Sequence, residues 1–449
     1  MPVPTTIFAP ASAIGRAGVT VVRISGPATA DACRALTGRP PPPARHATLR
    51  AVRDAEGAAL DRALLLWFPR PASLTGEDVL EVHVHGGRAV LAGVLEHLTC
   101  LPGLAPAEPG GFAKHAFLNG KLDLTAAEGL ADLVEAETRA QVRQALRQLD
   151  GALGRLYERW RAELLHALAL VEAEIDFAAE EHDVAEGALA RLRPALAILH
   201  AELVEHLADG GRGERLRRGL VVAVLGAPNA GKSSLVNALA GRDVAIVTDV
   251  PGTTRDRIEL ELELAGYPVT LIDTAGLRAT VDPVEREGVA RAREAAAHAD
   301  LRLVLFDGAT WPELAPDSVE QIDNAALVAV TKADLGRVPR APAVGGRAAL
   351  ALSVLAPGGL DRLVDALAER ARDAMDSSAT PLLTRARHRA AVADAEAALR
   401  RLLAAPADPE IGLAAEELRH ATAALGRITG RVGVEDLLDI VFARFCIGK

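Results

Sequence analysis

Aromatic side chains are scarce in this sequence, 3% of 449 residues, so Ala and Leu carry much of the apolar half of the chain and favour helices. Cysteine is rarer still. Cys33, Cys100 and Cys446 are odd in number, far apart and without metal-ligand spacing, which excludes a disulfide framework and fits a reducing cytosol. Positive charge is also short. Against 60 Asp and Glu there are 50 Lys and Arg, a net charge of -10, which argues against gripping nucleic acid through a broad basic surface but leaves room for local basic patches. No stretch approaches the roughly 18 uninterrupted apolar residues of a membrane span. The opening MPVPTTIFAPAS has no basic region followed by an apolar core. The expectation is a soluble, cytoplasmic protein with no membrane partner.

At 46.9 kDa the chain exceeds what one hydrophobic core supports, so several domains are expected. Residues 1–118 carry short β-branched runs, Val19 to Ile24, Leu64 to Phe68 and Val79 to Val84, separated by turn signals such as Ser25-Gly26-Pro27. This reads as an N-terminal α+β domain, with Pro40 to Pro43 a stiff surface connection. Residues 119–215 change to helical spacing of Leu, Ala and Val, and Asp209-Gly210-Gly211 breaks it. Residues 216–378 alternate strands with helices, as in a mainly parallel, doubly wound α/β sheet. Helical spacing returns over 379–449. The fold class expected is therefore multidomain, α/β plus α: an N-terminal α+β domain, an all-helical domain split in two, and a domain with a mainly parallel, doubly wound sheet inserted between its halves.

The strongest motif is Gly226-Ala-Pro-Asn-Ala-Gly231-Lys232-Ser233, which follows the buried-strand pattern VVAVLG. Its backbone amides close around phosphates, Lys232 neutralises β and γ oxygens, and the Ser233 hydroxyl is a Mg²⁺ ligand. Asp273-Thr274-Ala275-Gly276 follows the apolar run Val269 to Ile272, which makes Asp273 the second acidic anchor and sets Gly276 beside a γ-phosphate. Pro251-Gly252-Thr253-Thr254-Arg255-Asp256 supplies a hydroxyl, Thr254, able to close on Mg²⁺ only when a γ-phosphate is present.

Base choice points to Thr331-Lys332-Ala333-Asp334, because a carboxylate accepts from both N1–H and the 2-amino group of guanine. Thr331 stands where Asn is usual, which predicts that an amide tie to the base and the phosphate loop is missing, and weaker nucleotide binding by about 0.5–1.5 kcal/mol. Ser353-Val354 follows a further apolar run and offers a backbone amide to guanine O6. Leu277 occupies the position where Ras-like proteins orient water with Gln. Leucine cannot, so Glu285 and Arg255 are the polar candidates.

Together GxPNAGKSSLxNAL (Gly226 to Leu239), AIVTDxxGTTRD (Ala245 to Asp256), DTAGLR (Asp273 to Arg278), AEELR (Ala415 to Arg419) and FCIGK (Phe445 to Lys449) resemble the MnmE (TrmE) tRNA-modification GTPases. RISG (Arg23 to Gly26), TGEDVLEVHVHGG (Thr75 to Gly87) and FLNGKLDL (Phe117 to Leu124) extend the resemblance to the N-terminal region. It implies GTP and GDP binding by Asn229, Ala230, Gly231, Lys232, Ser233, Ser234, Thr248, Thr253, Thr254, Asp273, Thr274, Ala275, Gly276, Thr331, Lys332, Asp334, Ser353 and Val354. Mg²⁺ is expected at Ser233 and Thr254, and K⁺ at Asn229, Thr248, Val250 and Thr253, with Glu285 positioning the attacking water. A cation beside the β and γ phosphates supplies the charge that an arginine finger gives elsewhere.

The resemblance also implies a homodimer and a formyl-tetrahydrofolate site formed by Arg23, Glu81, Lys121 and Lys449. It implies a flavin-containing partner, MnmG (GidA), with which a carboxymethylaminomethyl-type group is added at C5 of the wobble uridine of certain tRNAs. A regulatory GTPase of ribosome assembly and a GTP-dependent dimerising scaffold are the competing readings. The first predicts an RNA module of interleaved basic and aromatic residues, which the sequence does not offer. The second leaves the folate-like motifs unexplained. His83 and His85 read as packing or solvent-facing, Cys446 as nucleophile or inert hydrophobe, and Arg212 to Arg218 as a solvated helix end.

Overall fold

The computed structural model describes residues 5–13, 15–177, 187–246, 259–273, 297–376, 382–405, 411–432, 438, 441–442, 445 and 448. They form two compact units, the first of Met1–Ala131, Arg147–His200 and Asp394–Lys449, the second of Asp132–Leu146 and Ala201–Ala393. The helical stretch at 119–215 is thus shared between them. Residues Asp132–Leu146 group with the second unit because Ala140 N–H donates to the Gly266 carbonyl and the Gln141 and Gln144 amides donate to the carbonyls of Arg217 and Gly213.

The first unit holds a six-stranded sheet in the order β3-β4-β5-β2-β1-β6. Its strands are β1 (Thr6–Pro10), β2 (Ala17–Ser25), β3 (Thr48–Arg53), β4 (Ala59–Phe68), β5 (Val79–Gly86) and β6 (Leu104–Pro106). All neighbours are antiparallel except β1 and β6. Period-two patterning explains its layering. Val22, Ile24, Leu80, Val82 and Val84 are buried on one face, where Cys33 and Leu36 of helix Thr29–Thr37 and Val94 and Leu98 of helix Arg88–Thr99 cover them. The alternate residues, Arg23 and Glu81 among them, point the other way.

In the same unit helix Ala152–Phe177 packs along helix Ile411–Thr429, burying Tyr157, Trp160 and Leu164. The chain segments that meet here are far apart in sequence. Arg193 donates to the carbonyls of Leu403 and Ala405, and His200 hydrogen-bonds Glu396. Leu438, Val441, Phe442 and Phe445 near the C-terminus pack against Phe117 and Leu124.

The second unit is built on the sheet β14-β11-β10-β7-β9-β8. Its strands are β7 (Leu220–Gly226), β8 (Glu259–Leu264), β9 (Tyr267–Asp273), β10 (Leu301–Asp307), β11 (Leu327–Thr331) and β14 (Leu350–Ala351), while β12 (Ala343–Val344) and β13 (Arg347–Ala348) form a separate ribbon. Every pairing is parallel except β8 with β9. Because both faces are covered, β7 and β10 read as near-continuous apolar runs, with Val222, Val224, Leu303 and Leu305 buried on one face and Ala223 and Val304 on the other.

The segment Arg212–Arg218 corrects its sequence reading. It is a short helix with Gly213 and Leu216 buried, and Arg215 and Arg217 donate to the carbonyls of Ala374 and Thr384. Arg218 pairs with Asp300 at 2.7 Å. These arginines are held by the fold rather than simply solvated.

Leu303→Ala, which empties a site buried in the core on one face of the sheet, is expected to destabilise the second unit by about 2–5 kcal/mol; urea unfolding followed by circular dichroism measures this, and an unchanged midpoint would contradict the packing.

Candidate functional site

A parallel sheet brings the carboxyl ends of its strands to one edge, where ligands bind. Here that edge carries Gly226 closing β7, Asp273 closing β9, Asp307 closing β10, Thr331 closing β11 and Ser353 just past β14. Gly226 has φ +145°, and a Cβ there would lie 2.5 Å from the Leu305 carbonyl oxygen, so only glycine lets the loop leave the strand beside β10. Asn229, exposed at φ 66°, and Gly231 at φ 87° turn the chain into helix Lys232–Ala240, whose first amides face outward at the positive end of the helix. Lys232 lies back along this loop, its Nζ donating to the carbonyls of Gly226 and Ala227 at 2.7 and 2.9 Å. The Ser233 hydroxyl donates to Asp273 Oδ2 at 2.7 Å. Two hard oxygen ligands thus meet at one point, a donor set that suits Mg²⁺.

Beside the loop lies a cavity of about 280 Å³ lined by Gly231, Ser234, Thr331, Lys332, Asp334 and Val354, with Leu235, Leu335, Leu352 and Leu355 as apolar walls. Asp334 is oriented by Ser353, whose hydroxyl donates to its Oδ1 at 2.6 Å. Each carboxylate oxygen has two lone-pair sites, so Asp334 keeps acceptor capacity for a base. Lys332, itself left-handed at φ 53°, is pinned by Asp307 at 2.7 Å.

Thr331 corrects an expectation. Its hydroxyl donates to the Ala230 carbonyl at 2.9 Å, with the Phe306 carbonyl at 3.1 Å sharing the same hydrogen. The tie to the phosphate loop predicted to be missing is therefore kept, through a hydroxyl instead of an amide. Only the reach toward the base is gone.

A second cluster sits on the other face of the N-terminal sheet, where Phe112 of helix Gly111–Leu118 packs on Ile7 and Ala9. Arg23 and Glu81 are cross-strand partners, with Arg23 Nη2 2.9 Å and Nε 3.1 Å from Glu81 Oε1. Arg23 Nη1 also donates to the Gly448 carbonyl at 3.2 Å, and its guanidinium lies 5.6 Å from the centre of the Phe112 ring. Nearby, Glu77 accepts from His115 Nδ1 at 2.8 Å and from Ser25 at 3.0 Å, while Asn119 donates to the Thr75 carbonyl. Burial alone would raise the Glu77 pKa, but hydrogen bonding and charge from His115, with help from Ser25 and Asn119, hold it below the ordinary carboxylate value.

Two family models match: the MnmE helical domain over residues 124–446 and the GTP-binding protein TrmE N-terminus over residues 6–121. The tRNA modification GTPase MnmE of Paramagnetospirillum magneticum is 52% identical over 446 residues, spanning 99% of both chains. That of Rhodospirillum rubrum is 53% identical over 457 residues, again 99% of both, and that of Parvibaculum lavamentivorans 52% over 453 residues, 99% of this chain and 100% of the relative. The chain belongs to the MnmE family. Among solved structures, the G domain of the T. maritima FeoB iron transporter aligns with 33% of this chain at 26% identity and a TM-score of 0.24, a score at which the likeness carries no weight.

Of the residues expected to serve nucleotide in an MnmE-family chain, Asn229, Ala230, Gly231, Lys232, Ser233, Ser234, Asp273, Thr331, Lys332, Asp334, Ser353 and Val354 lie at this one sheet edge. Thr248, Val250, Thr253, Thr254, Thr274, Ala275, Gly276 and Glu285, with Arg255 and Leu277, lie outside the described residues, as do Cys446 and Lys449. Arg23 and Glu81 are brought together, whereas Lys121 is exposed at the Pro71–Gly76 turn, where its Nζ donates to the Pro71 carbonyl. His85 is exposed and hydrogen-bonds Asp61, and His83 Nε2 is buried 3.6 Å from Glu81 Oε2. No metal-holding cluster of His, Cys, Asp or Glu occurs among the described residues.

Sequence reasoning missed Asp307, signalled only as an acidic end to an apolar strand, and the leucine walls of the cavity. It also missed Phe112 and His115, which carry no motif of their own, and Glu77, which lies in the Thr75 to Gly87 motif without having been singled out.

Three outcomes are expected. Asp334→Asn replaces the acceptor for guanine with an amide, so GTP affinity should fall at least tenfold while xanthosine triphosphate binding improves, as read by nucleotide titration. Thr331→Val keeps the shape but leaves the buried Ala230 carbonyl without its donor, costing about 1–3 kcal/mol; unchanged melting temperature and GDP affinity would contradict the tie. Glu77 stays ionised further into acid in the folded than in the unfolded state, so its stabilisation is full above the unfolded carboxylate value and is lost as pH falls through the depressed folded one. The melting-temperature gap between wild type and Glu77→Gln should therefore be widest near neutrality and close in acid.

Proposed function

We propose that this chain is a GTP hydrolase that acts in tRNA modification. The observation that carries this is identity of about half the residues along the whole length of relatives named tRNA modification GTPase MnmE. The chemistry of the sheet edge supports it. Lys232 and the loop amides suit the β and γ phosphates, Asp334 suits guanine, and Ser233 with Asp273 suits Mg²⁺.

Further parts of the proposal rest on the motif resemblance. Thr254 joins Ser233 on Mg²⁺. Asn229, Thr248, Val250 and Thr253 hold K⁺, and the exposed left-handed Asn229 offers an amide oxygen beside the phosphate loop. When bound, K⁺ supplies positive charge to the transferring phosphoryl group, and Glu285 positions the attacking water. Arg23, Glu81, Lys121 and Lys449 take 5-formyltetrahydrofolate. The half-buried Arg23–Glu81 pair is suited to a ligand carrying both carboxylates and ring N–H donors. The chain works as a homodimer, divided at 1–118, 119–215, 216–378 and 379–449, with flavin-containing MnmG (GidA) in the cytoplasm. Together they add a carboxymethylaminomethyl-type group at C5 of the wobble uridine. Among the described residues no helix is long and apolar enough to cross a membrane.

Hydrolysis is expected to be at least tenfold faster in potassium than in sodium buffer, and equal rates would remove the potassium site. Nucleoside mass spectrometry of tRNA from cells lacking the protein should show loss of the C5 group at wobble uridine, and unchanged modification would defeat the functional reading.

A further inference from the structure

β3 is the outermost strand of the N-terminal sheet, and beside it lies a groove of about 320 Å³ lined by Thr37, Leu49 and four arginines, Arg39, Arg50, Arg53 and Arg62. Arg39, Arg53 and Arg62 are exposed. Arg50 Nη1 donates to the Pro40 carbonyl and Arg53 Nη1 to the Gly57 carbonyl at 2.7 Å. A guanidinium has five N–H donors, so these hydrogen bonds aim the side chains without using them up. Among the described residues none of the four forms an ion pair, although the chain carries a net charge of -10. The one carboxylate flanking Arg62 on β4, Asp61, is turned to the backbone and ring of His85.

Charge on an edge strand is a common guard against unwanted strand pairing, and that accounts for Arg50 and Arg53. It does not account for Arg39, which arrives from the loop after helix Thr29–Thr37, or for Arg62, which stands on the interior neighbour β4 opposite Ala51. Three separate stretches of chain converge their guanidinium groups on one groove.

We propose that this groove docks the phosphodiester backbone of RNA, with one phosphate held by each exposed guanidinium. The lining favours phosphate over an acidic peptide, since Leu49 is its only large apolar side chain and gives no pocket for an anchor residue. Planar guanidinium groups match phosphate oxygens in pairs. The groove extends over several guanidinium groups, as a chain of phosphates requires. This rests on the reading that tRNA is the substrate and adds where the N-terminal domain touches it.

The test uses the full-length protein and fluorescently labelled tRNA, with affinity measured across a series of KCl concentrations. Arg53→Ala/Arg62→Ala should weaken binding severalfold and flatten the slope of log affinity against log salt by roughly 1.5, at about 0.7–0.9 for each phosphate no longer neutralised. GTP hydrolysis without tRNA should be unchanged, and Arg53→Lys/Arg62→Lys should keep most of the slope. Should the double alanine variant fail to fold by circular dichroism, Arg39→Ala on the loop replaces it, with a slope change of about 0.7–0.9. Unaltered affinity and slope in the folded variant, with wild type binding tRNA, would overturn the groove alone. Failure of wild type to bind tRNA would overturn the substrate reading and the groove with it. Inorganic phosphate binding that is lost in Arg53→Ala/Arg62→Ala while tRNA affinity is unaltered would reassign the groove to a small anion and overturn RNA docking.

Discussion

The second unit depends on β7 being buried on both faces between two parallel neighbours. Val222 and Val224 on one face and Ala223 on the other are all shut from water, and β9 and β10 pair along the two sides of the strand. Parallel pairing then brings the carboxyl ends of β7, β9, β10, β11 and β14 to the same edge. The phosphate loop, Asp273, Asp307 and Thr331 are neighbours for that reason, although more than 100 residues separate the first from the last. The close approach of Gly226 to Leu305 is the local consequence, because the loop must turn against the strand that fixes it.

Around this edge the side chains that face ligand are held by others that do not. Ser353 orients Asp334, Asp307 pins Lys332, and Thr331 ties β11 to the phosphate loop. Such pairs pre-organise the site, so less ordering cost remains when nucleotide binds. The N-terminal sheet is organised differently. Two helices cover one of its faces, on the other Phe112 of helix Gly111–Leu118 packs on Ile7 and Ala9 beside the half-buried Arg23–Glu81 pair, and the outer edge at β3 carries exposed arginines.

The sequence was most legible where function is written in consecutive residues. The run from Gly226 to Ser233 is both a loop conformation and a ligand set, and its glycines are demanded by backbone geometry that any reader of the sequence can anticipate. Strand layering was legible for a related reason, since Val22, Ile24, Leu80 and Val82 follow a two-residue period that admits one buried face. Arg212 to Arg218 misled because a run of like charge looks the same whether it meets water or the carbonyls of Ala374 and Thr384. Thr331 misled because comparison with Asn counted the missing amide and could not see where a hydroxyl would point.

By itself, then, the chain determined its alternation of strand and helix, its phosphate loop and the carboxylate proposed to select the base, since these depend on near neighbours along the backbone. Tertiary structure decided the rest. That Asp307 meets Lys332, that Ser233 meets Asp273 and that Arg39 and Arg62 share a groove follows from sheet order and register. Hydrogen bonds and charge act over a few ångströms in space, and the distance between residues in space is set by packing, not by their separation in sequence.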